Sequence, residues 1–461
     1  MLKKCFYLLT IMAELGANRG LSANVTESDL LSPIHQMFNK PKYELVQVNN
    51  TETVFTASNL ETNGPYTFQI NANPFQYIQT NKMLLEMEFK VVKDGNAITG
   101  TDNVAPINNI ISSVFEYATV SLKKDPISEL TQELLPYKAY LENVLSFSPE
   151  ILEANQSTGG FLMDSAKYFN TLTASTGTNS YNVGHNTRKT WVALSNTCQV
   201  IGRLPIDCFQ IDGLFPPGVP IDITLHKSKT DFHLLANSGT NTDKFALIIK
   251  NLKLHVNYIE LSEKYREQHS ALWSKIPYSL HFSKVNIKTK QFSNGLTDLN
   301  FDNCFNGILP KTVLCVMVDS TTFDGKLNKN PFYFKNNGLS QIYLRVNNAS
   351  VPSEPIQCDF TNHLTKRAYR YFLDNTGQGV QCQGGSIITH ELFENGCAIF
   401  AFDLTPDKCN GFHLHPHEKG ILEVRIKLSA ATSTGVTLIV LGTFDQFLVI
   451  PKDKQAYIEY A

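Results

Sequence analysis

The sequence is poor in several features that would point to common protein classes. It has only 2 Trp, no pair of cysteines in CxxC spacing, and no apolar run approaching the roughly 18 residues of a membrane-spanning helix. The nine cysteines are an odd number at low density. We therefore expect free thiols in a reducing compartment, not a disulfide framework, and no transmembrane helix.

Excess charge is also missing, since the formal net charge is only -2. Proteins that coat nucleic acid through phosphate contacts are usually strongly basic, so we expect no sequence-specific nucleic-acid binding. Hydrophobic residues make up 42% of the chain, which is enough for packed cores and excludes general disorder. A chain of 461 residues is too long for one typical core, so two or three domains are expected.

Motifs of catalysis and phosphate binding are missing as well. The sequence contains no GxSxG, Walker, HExxH or GxGxxG pattern. The glycines at 377, 379, 384 and 385 fall in a predicted loop without the strand-to-helix context of a phosphate site. We expect no enzyme and no catalytic, cofactor-binding or metal-binding residue. The remaining candidates are expected to be turn residues (Asp374, Asp403, Asp407) or solvated charges (Arg203, Lys366, Arg367, Arg370).

One histidine cluster could bind a metal. His413, His415 and His417 alternate, and Glu418 follows directly. Histidines at alternate strand positions share a face and can hold one metal, as in enzymes of cupin type. The glutamate stands too close to the histidines for that pattern, and Pro416 favours a loop. A polar surface loop is therefore the favoured interpretation, and a metal site resting on His413, His415 and Glu418 is the alternative.

The residues that are abundant predict β-structure. The chain has 29 Phe and 18 Tyr, and apolar and polar residues alternate with the period of two typical of half-buried strands. Examples are the stretches 85–91, 342–346 and 422–428. Short helices are predicted at 137–145 and, by their apolar spacing, within 360–374.

The stretch from Ala246 to Tyr278 lies near the middle of the chain and divides it. A strand pattern at 252–258 changes to helical spacing after Ser262, which can cap a helix, and Pro277 ends the run. About 200 residues of strand-like pattern lie on each side. The predicted fold is therefore all-β, with two consecutive eight-stranded jelly-roll sandwiches and a few short helices.

The predicted boundaries follow from this division. Residues 1–42 form an N-terminal extension and arm, 43–261 the first jelly roll, 262–278 a connector helix and 279–461 the second jelly roll. The polar segment from Glu150 to Thr190 is predicted to be a surface loop, followed by a strand at Trp191 to Ala193.

The first residues imitate a signal peptide. Lys3 and Lys4 precede a short apolar run that ends near Ala13. Met12 is an alternative start, and residues 1–11 would then be spurious. We expect no functional secretion signal, and the start stays open between Met1 and Met12.

Several motifs, taken in order, resemble those of the double jelly-roll major capsid proteins of Polinton (Maverick) elements and adintoviruses. In the first half they are 26–33, 108–109, 114–115, 119–122, 136–142, 202–205 and 217–223. In the second half they are 309–311, 323–325, 329–334, 351–355, 367–369, 394–396 and 400–407. The extension at the start, the loop at 150–190 and the His-rich loop depart from the family pattern.

The resemblance implies a structural protein of the virion. Three copies are expected to form a trimer whose six sandwiches imitate a hexagon and tile an icosahedral shell. Expected partners are neighbouring trimers and a minor capsid (penton) protein, with assembly inside the host cell, in the nucleus. The gene is expected to belong to an endogenous viral element. The alternative hypothesis is a host-retained β-sandwich binding module that uses the loops at the sandwich ends.

Overall fold

The computed structural model describes residues 47–60, 64–123, 125–126, 130–172, 181–211, 213–237, 241–378, 385–406, 408, 414–452 and 455–460. The predicted N-terminal arm, 1–42, lies outside them. From Gln47 onward the chain forms one compact unit. No helix among the described residues is long and apolar enough to cross a membrane.

The described residues before the central helix form eleven strands. They are β1 (Gln47–Thr56), β2 (Tyr66–Ile70), β3 (Gln76–Lys93), β4 (Asn96–Ala97), β5 (Val104–Pro106), β6 (Phe115–Leu122), β7 (Asp125–Pro126), β8 (Cys198–Arg203), β9 (Ile221–Lys227), β10 (Leu234–Ala236) and β11 (Phe245–Leu261). One sheet has the order β1-β11-β3, with β8 and β4 both paired to β3, and a second has the order β2-β9-β6-β7. β5 and β10 pair separately.

The described residues after that helix form nine more strands. They are β12 (Tyr278–Phe292), β13 (Asp298–Ile308), β14 (Thr312–Asp319), β15 (Leu339–Val346), β16 (Ala349–Gln357), β17 (Ile399–Asp403), β18 (Lys419–Leu428), β19 (Val436–Ile450) and β20 (Tyr457–Tyr460). One sheet has the order β12-β19-β14-β17, with β20 also on β19, and the other has the order β13-β18-β15-β16.

Both halves have the same topology. Without the short strands β4, β5, β10 and the added β20, each half has eight strands. Numbered along the chain, the eight strands form sheets of order 1-8-3-6 and 2-7-4-5 in both halves. All the pairings between strands are antiparallel. This is the arrangement of a jelly roll, so the predicted double jelly roll is confirmed.

Nine α-helices lie among the described residues. They are α1 (Ile110–Ser113), α2 (Leu135–Ser146), α3 (Pro149–Ile151), α4 (Val183–Trp191), α5 (Thr230–His233), α6 (Glu263–Trp273), α7 (Ser320–Phe323), α8 (Lys366–Asn375) and α9 (His390–Glu394). Short π- or 3-10 turns occupy Leu152–Gln156, Ser157–Gly159, Ala193–Ser195 and Asp207–Phe209. The predicted helices at 137–145 and within 360–374 correspond to α2 and α8.

The central helix α6 connects β11 to β12. Ser262 occupies its N-cap position with extended backbone, but the Ser262 side chain makes no capping hydrogen bond, contrary to the expectation. The helix ends at Trp273, before Pro277, and none of its residues is buried. Its apolar Leu272 is 62% exposed. The connector is therefore a surface helix.

The alternating sequence pattern is explained by burial on one face of each strand. In β18, for example, Leu422, Val424, Ile426 and Leu428 are buried and the residues between them are not. β19 differs because both of its faces are almost entirely covered. Val436, Leu438 and Phe444 pack in the core of the second sandwich, whereas Leu448 and Ile450 pack in the core of the first. The contact of one strand with both cores explains the nearly continuous apolar run near the end of the chain.

Each sandwich contributes side chains to the core of the other. Phe282 and Ile450, from the second half, pack in the core of the first. Tyr140, Phe161 and Phe169, from the first half, pack in the core of the second. We call this contact region the sandwich joint. It consists of α2, residues 161–170, α4 and the second-half segment 330–334.

Two predictions for the first half were wrong. The segment from Glu150 to Thr190 is not simply a surface loop, because Phe161, Asp164, Phe169 and Arg188 are buried. Trp191 ends helix α4 and does not begin a strand. The polar composition misled the prediction, since these polar groups are satisfied inside the sandwich joint by partners that are distant in sequence.

Gly396 tests the packing of the sandwich joint. A Cβ added at Gly396 would overlap the Phe169 ring, which is buried and stacked on Tyr333 at 5.2 Å. We expect Gly396→Ala to lower the free energy of unfolding by about 1–3 kcal/mol, because a packed ring cannot move away without strain. The measurement is the midpoint of urea-induced unfolding.

Gly100→Ala is the matched control, since nothing lies within 4 Å of a Cβ at Gly100. A second variant, Gly396→Ala with Phe169→Leu, should recover part of the loss. Equal midpoints for Gly396→Ala and Gly100→Ala would contradict this account.

Candidate functional site

The histidine cluster of the sequence lies partly outside the described residues, which do not include His413. His415, His417 and Glu418 line a surface cleft of about 280 Å³ together with Lys311 and Asp445. His417 Nε2 lies 3.2 Å from the backbone carbonyl oxygen of Asp445. Among the described residues, no three His, Cys, Asp or Glu side chains are grouped so that they could hold a metal.

Asp445 organises this cleft. Its carboxylate is 5% exposed and accepts hydrogen bonds from Lys311 Nζ at 2.6 Å and Ser283 Oγ at 3.2 Å, with His281 Nε2 at 3.3 Å. Burial acts to raise the pKa of Asp445, but Lys311, assisted by His281 and Ser283, outweighs it and the pKa is lowered. The charge of this carboxylate is thus already balanced by Lys311, which directly precedes β14, with further contacts from β12.

The other sequence candidates are dispersed. Asp403 accepts hydrogen bonds from the backbone N–H and hydroxyl of Thr405, as expected of a turn residue, whereas Asp374 pairs with Arg370 at 2.8 Å. Arg367 pairs with Glu354 at 3.0 Å. Of the described members of this set, Arg370 and Asp374 meet in a surface ion pair, with side chains that are 58% and 44% exposed.

The remaining candidates make few contacts or are not described. Lys366 lies 3.0 Å from His390 Nδ1, and Arg203 is exposed on β8. Asp407, Gly379 and Gly384 lie outside the described residues.

The six cysteines in the described part of the chain are free thiols, and five of them are buried. Burial raises the pKa of Cys208, Cys304, Cys358 and Cys397 to about 12 in each case. Such thiols stay protonated and unreactive near neutral pH. The prediction of unpaired thiols is confirmed for these six.

A first buried network of polar groups lies where α2 of the sandwich joint meets β12. Asp207 is 4% exposed and binds Lys138 Nζ at 3.0 Å, with Lys284 Nζ at 3.7 Å. Its second oxygen accepts the backbone N–H of Val285 at 2.9 Å. Because Lys138 belongs to the first half and Lys284 and Val285 to β12, one carboxylate joins the two sandwiches.

The two lysines beside Asp207 respond differently to burial. Burial acts to lower the pKa of Lys138, but Asp207 and Glu142 outweigh it and raise the pKa to about 12. Burial lowers the pKa of Lys284, which has only the more distant contact with Asp207. Both ammonium groups also donate to backbone carbonyls, Lys138 to Pro205 at 3.0 Å and Lys284 to Thr131 at 2.7 Å.

A second buried network is centred on Arg188, whose side chain is fully buried. Its guanidinium donates to Asp164 Oδ1 at 2.8 Å and to the carbonyls of Pro106 and Leu162, each at 3.0 Å. The other oxygen of Asp164 accepts from Asn330 Nδ2 at 2.7 Å. Charge-assisted bonds of this kind are strong, and the one between Asp164 and Asn330 crosses from the first sandwich to the second.

Sequence reasoning missed Asp164 and Arg188. One local signal was available: Asn182 is a good N-cap, and Arg188 and Lys189 stand in the last turn of the helix. The structure shows the Asn182 side chain accepting the backbone N–H of His185 at 3.1 Å. The partner of Asp164, Asn330, is 166 residues away and gives no local signal.

An aromatic seam completes the sandwich joint. Tyr140 of α2 stacks on Phe332 with ring centroids 4.2 Å apart and nearly parallel planes. Tyr137 contacts Phe332 edge to face at 6.0 Å. The motifs 136–142 and 329–334, which carry the family resemblance in separate halves of the sequence, therefore pack directly against each other.

The end of the molecule that carries α6 exposes apolar side chains. Phe75 is 54% exposed under Arg266, whose guanidinium lies 4.9 Å from the ring centroid. Leu272 and Ile276 are each 62% exposed. Trp273 anchors the helix by donating its indole N–H to the carbonyl of Ile450 at 2.8 Å.

Comparison with known proteins gives relatives in sequence and in structure. No family model matches the chain. An uncharacterized protein of Caenorhabditis elegans is 22% identical over 416 residues, which cover 86% of this chain and 94% of that protein. The match spans nearly the full length of both chains.

Solved viral structures share the fold. A chain of the Sputnik virophage structure has a TM-score of 0.57 at 13% identity and covers 96% of this chain and 94% of its own. The PBCV-1 capsid gives 0.54 at 11% identity, covering 92% and 100%. The Faustovirus major capsid protein gives 0.53 at 8% identity, covering 90% and 92%. At such identities the likeness establishes the fold, and the double jelly roll extends over the whole described chain.

Arg188 tests the role of the buried network. We expect Arg188→Met to lower the free energy of unfolding by about 3–5 kcal/mol, because it leaves the Asp164 carboxylate buried without its counter-ion. The measurement is the urea-unfolding midpoint. Lys189→Met, the adjacent half-buried side chain, is the control and should change stability by no more than about 0.5 kcal/mol.

A double variant separates the effect of the unpaired Asp164 charge from the effect of lost packing. If the uncompensated charge dominates, Arg188→Met with Asp164→Asn is more stable than Arg188→Met alone. A double variant that is less stable than Arg188→Met would contradict the view that the unpaired carboxylate causes the loss of stability.

The environment of Asp445 predicts that the stability of the protein depends on pH. Its pKa is lowered in the folded protein, so its ionised form contributes stability above the unfolded pKa of about 3.9, and this is lost as pH falls through the folded pKa. We expect the unfolding midpoints of wild type and Asp445→Asn to differ at about pH 6 and to converge towards about pH 3. Thermal unfolding across this range measures it. Asp298→Asn, which changes an exposed carboxylate, is the control and should shift the unfolding midpoint little at about pH 6.

Proposed function

We propose that this chain is the major capsid protein of an icosahedral viral shell. The observation that carries the proposal is the repetition of one strand order, 1-8-3-6 and 2-7-4-5, in two sandwiches locked into one compact unit. The likeness to the Faustovirus major capsid protein, across about nine tenths of both chains, supports it.

Three copies form the building block in this proposal. Two similar sandwiches per chain, repeated by a three-fold axis, place six similar bodies in a ring and so imitate a hexagon. A closed trimer of this kind requires an interface that is large enough to be obligate, of the order of 2,000 Å² or more. Rigid coupling of the two sandwiches is a precondition, because free rotation at the joint would destroy the pseudo-six-fold arrangement.

The finer assignments belong to the same proposal. We place the chain in the lineage of Polinton (Maverick) elements and adintoviruses, on the order and spacing of its motifs. The partners are neighbouring trimers and a minor capsid (penton) protein, and assembly takes place in the nucleus of the host cell. The near-neutral charge supports a shell that encloses nucleic acid without binding a specific sequence.

The domain boundaries are proposed at 43–261 and 279–461, on either side of a connector at 262–278. The strand pairs support them, since no strand of the first set pairs with a strand of the second among the described residues. The exchanged core side chains imply that neither sandwich folds well alone.

Mass measurement tests the assembly. The purified protein is expected to have three times the 51.7 kDa mass of one chain in light scattering coupled to size exclusion, at micromolar concentration. Negative-stain electron microscopy should show blocks of six-fold appearance with three-fold symmetry. Dilution towards nanomolar concentration should leave an obligate trimer intact.

A monomer at micromolar concentration would count against the shell and favour the binding module that uses the end loops. The lineage has its own test, because the DNA that flanks the coding sequence should carry a gene for the penton protein. If the protein forms trimers but its locus lacks such a gene, the capsid proposal stands and the assignment to the Polinton and adintovirus lineage is wrong.

A further inference from the structure

Two lysines and one aspartate of the buried network around Asp207 are almost completely shielded from water. Asp207, Lys138 and Lys284 are 4%, 3% and 5% exposed. Asp207 belongs to the first half of the chain, whereas Lys284 belongs to β12 of the second. The Lys284 Nζ lies 3.7 Å from Asp207 Oδ2, which is too long for a hydrogen bond. The structure therefore places a buried amine beside a buried carboxyl group of the other sandwich.

The two lysines have different surroundings. Lys138 Nζ lies 3.0 Å from Asp207 Oδ1 and 2.8 Å from Glu142 Oε2, and two carboxylates at this distance stabilise its ammonium form. Lys284 donates instead to the neutral carbonyl of Thr131 at 2.7 Å. Burial lowers the pKa of Lys284, and the positive charge of Lys138 acts in the same direction. Desolvation beside another cation makes a lysine amine nucleophilic, and neighbouring groups with opposed pKa shifts are suited to act as acid and base.

The Asp207 carboxylate is polarised at both oxygens. Oδ1 faces the Lys138 ammonium, and Oδ2 accepts the backbone N–H of Val285 at 2.9 Å. A fixed backbone N–H stabilises the oxyanion that forms when a nucleophile attacks a carboxyl carbon. Replacement of a buried carboxylate by a neutral amide is also favoured, because burial of charge is costly. Asp207 is thus held with a nucleophile, a proton donor and an oxyanion donor around one carboxyl group.

We propose that Lys284 and Asp207 form an intramolecular isopeptide bond, which links the two sandwiches covalently. The neutral Lys284 amine attacks the Asp207 carboxyl carbon, and the charge on Oδ2 is held by the Val285 N–H. Lys138 donates one proton to Oδ1 and the Lys284 nitrogen releases a second, so the Nζ–Cγ bond forms, the Cγ–Oδ1 bond breaks and water leaves. Lys138 regains its proton from solvent through Glu142, whose side chain is 21% exposed. The reaction consumes no oxidant, reductant or other co-reactant, and this inference does not depend on the capsid proposal.

Mass spectrometry of the purified full-length protein, denatured before measurement, tests the bond. The intact mass is expected to be lower than the mass calculated from the sequence by one water molecule, about 18 Da. Trypsin should release residues 204–227 and 276–288 as one linked species in which Lys284 is not cleaved. Fragmentation of this species should place the link between Asp207 and Lys284.

Conservative variants assign the roles of the two lysines. Lys284→Arg keeps a positive charge on β12 but cannot attack, because a guanidinium stays protonated, so this variant should have its full calculated mass. Lys288→Arg changes an exposed lysine of the same strand and is the matched control, which should form the link as the wild type does. Lys138→Arg should lower the linked fraction, because arginine keeps the charge but does not readily give up a proton.

Wild-type protein with its full calculated mass would overturn the proposal. A loss of about 18 Da that persists in Lys284→Arg, or that maps to an unlinked peptide, would do the same. Dehydration of Asp212, which precedes Gly213, to a succinimide would give that unlinked result, and hydroxylamine opens a succinimide but leaves an isopeptide bond intact. Because the linked peptide is identified in the wild-type protein, the test stands even if a variant fails to fold.

Discussion

Buried charge at the contact between the two sandwiches is the constraint on which the structure depends. Asp207 holds Lys138 from one sandwich and the backbone of β12 from the other, and Asp164 joins Arg188 to Asn330. Ion pairs of this kind add little net stability compared with apolar packing, but separating them would leave charges buried without partners. Sliding one sandwich past the other would break these contacts, so we expect the buried charges to define the arrangement more strictly than an apolar seam would.

That arrangement explains why so much of the first half is folded into the second. Tyr140 of α2 stacks on Phe332 and meets Phe334 edge to face, and Phe169 fits beside Gly396, where no Cβ can be accommodated. Each core is thus completed by the other half. The consequence is one compact unit that contains the same strand topology twice.

The motifs of the family resemblance acquire a physical meaning here. Residues 136–142 and 329–334 are separated by nearly 200 residues, yet they form the two sides of the aromatic seam. Gly202, which belongs to another of these motifs, allows a close approach of two backbone segments within the first half. A Cβ at Gly202 would lie 3.3 Å from the backbone of Gly159. By contrast, the histidines at 415 and 417 lie beside a carboxylate that its neighbours already neutralise. Their spacing made a metal site the alternative interpretation, and among the described residues no three ligand side chains are grouped so that they could hold one.

The sequence by itself determined the local structure and the fold class. A period of two, repeated in many short stretches, requires sheets with one buried face, and the change of period after Ser262 marks the connector α6. It did not reveal that 150–190 contributes buried charge, because a run of Ser, Thr, Asn and Gly has the same composition whether water or distant side chains satisfy it. Only the tertiary structure decided that Asp164 meets Asn330 and that Asp207 joins both halves. The physical reason is that hydrogen bonds and ion pairs depend on distance in space, whereas periodicity records only which face of a strand avoids water.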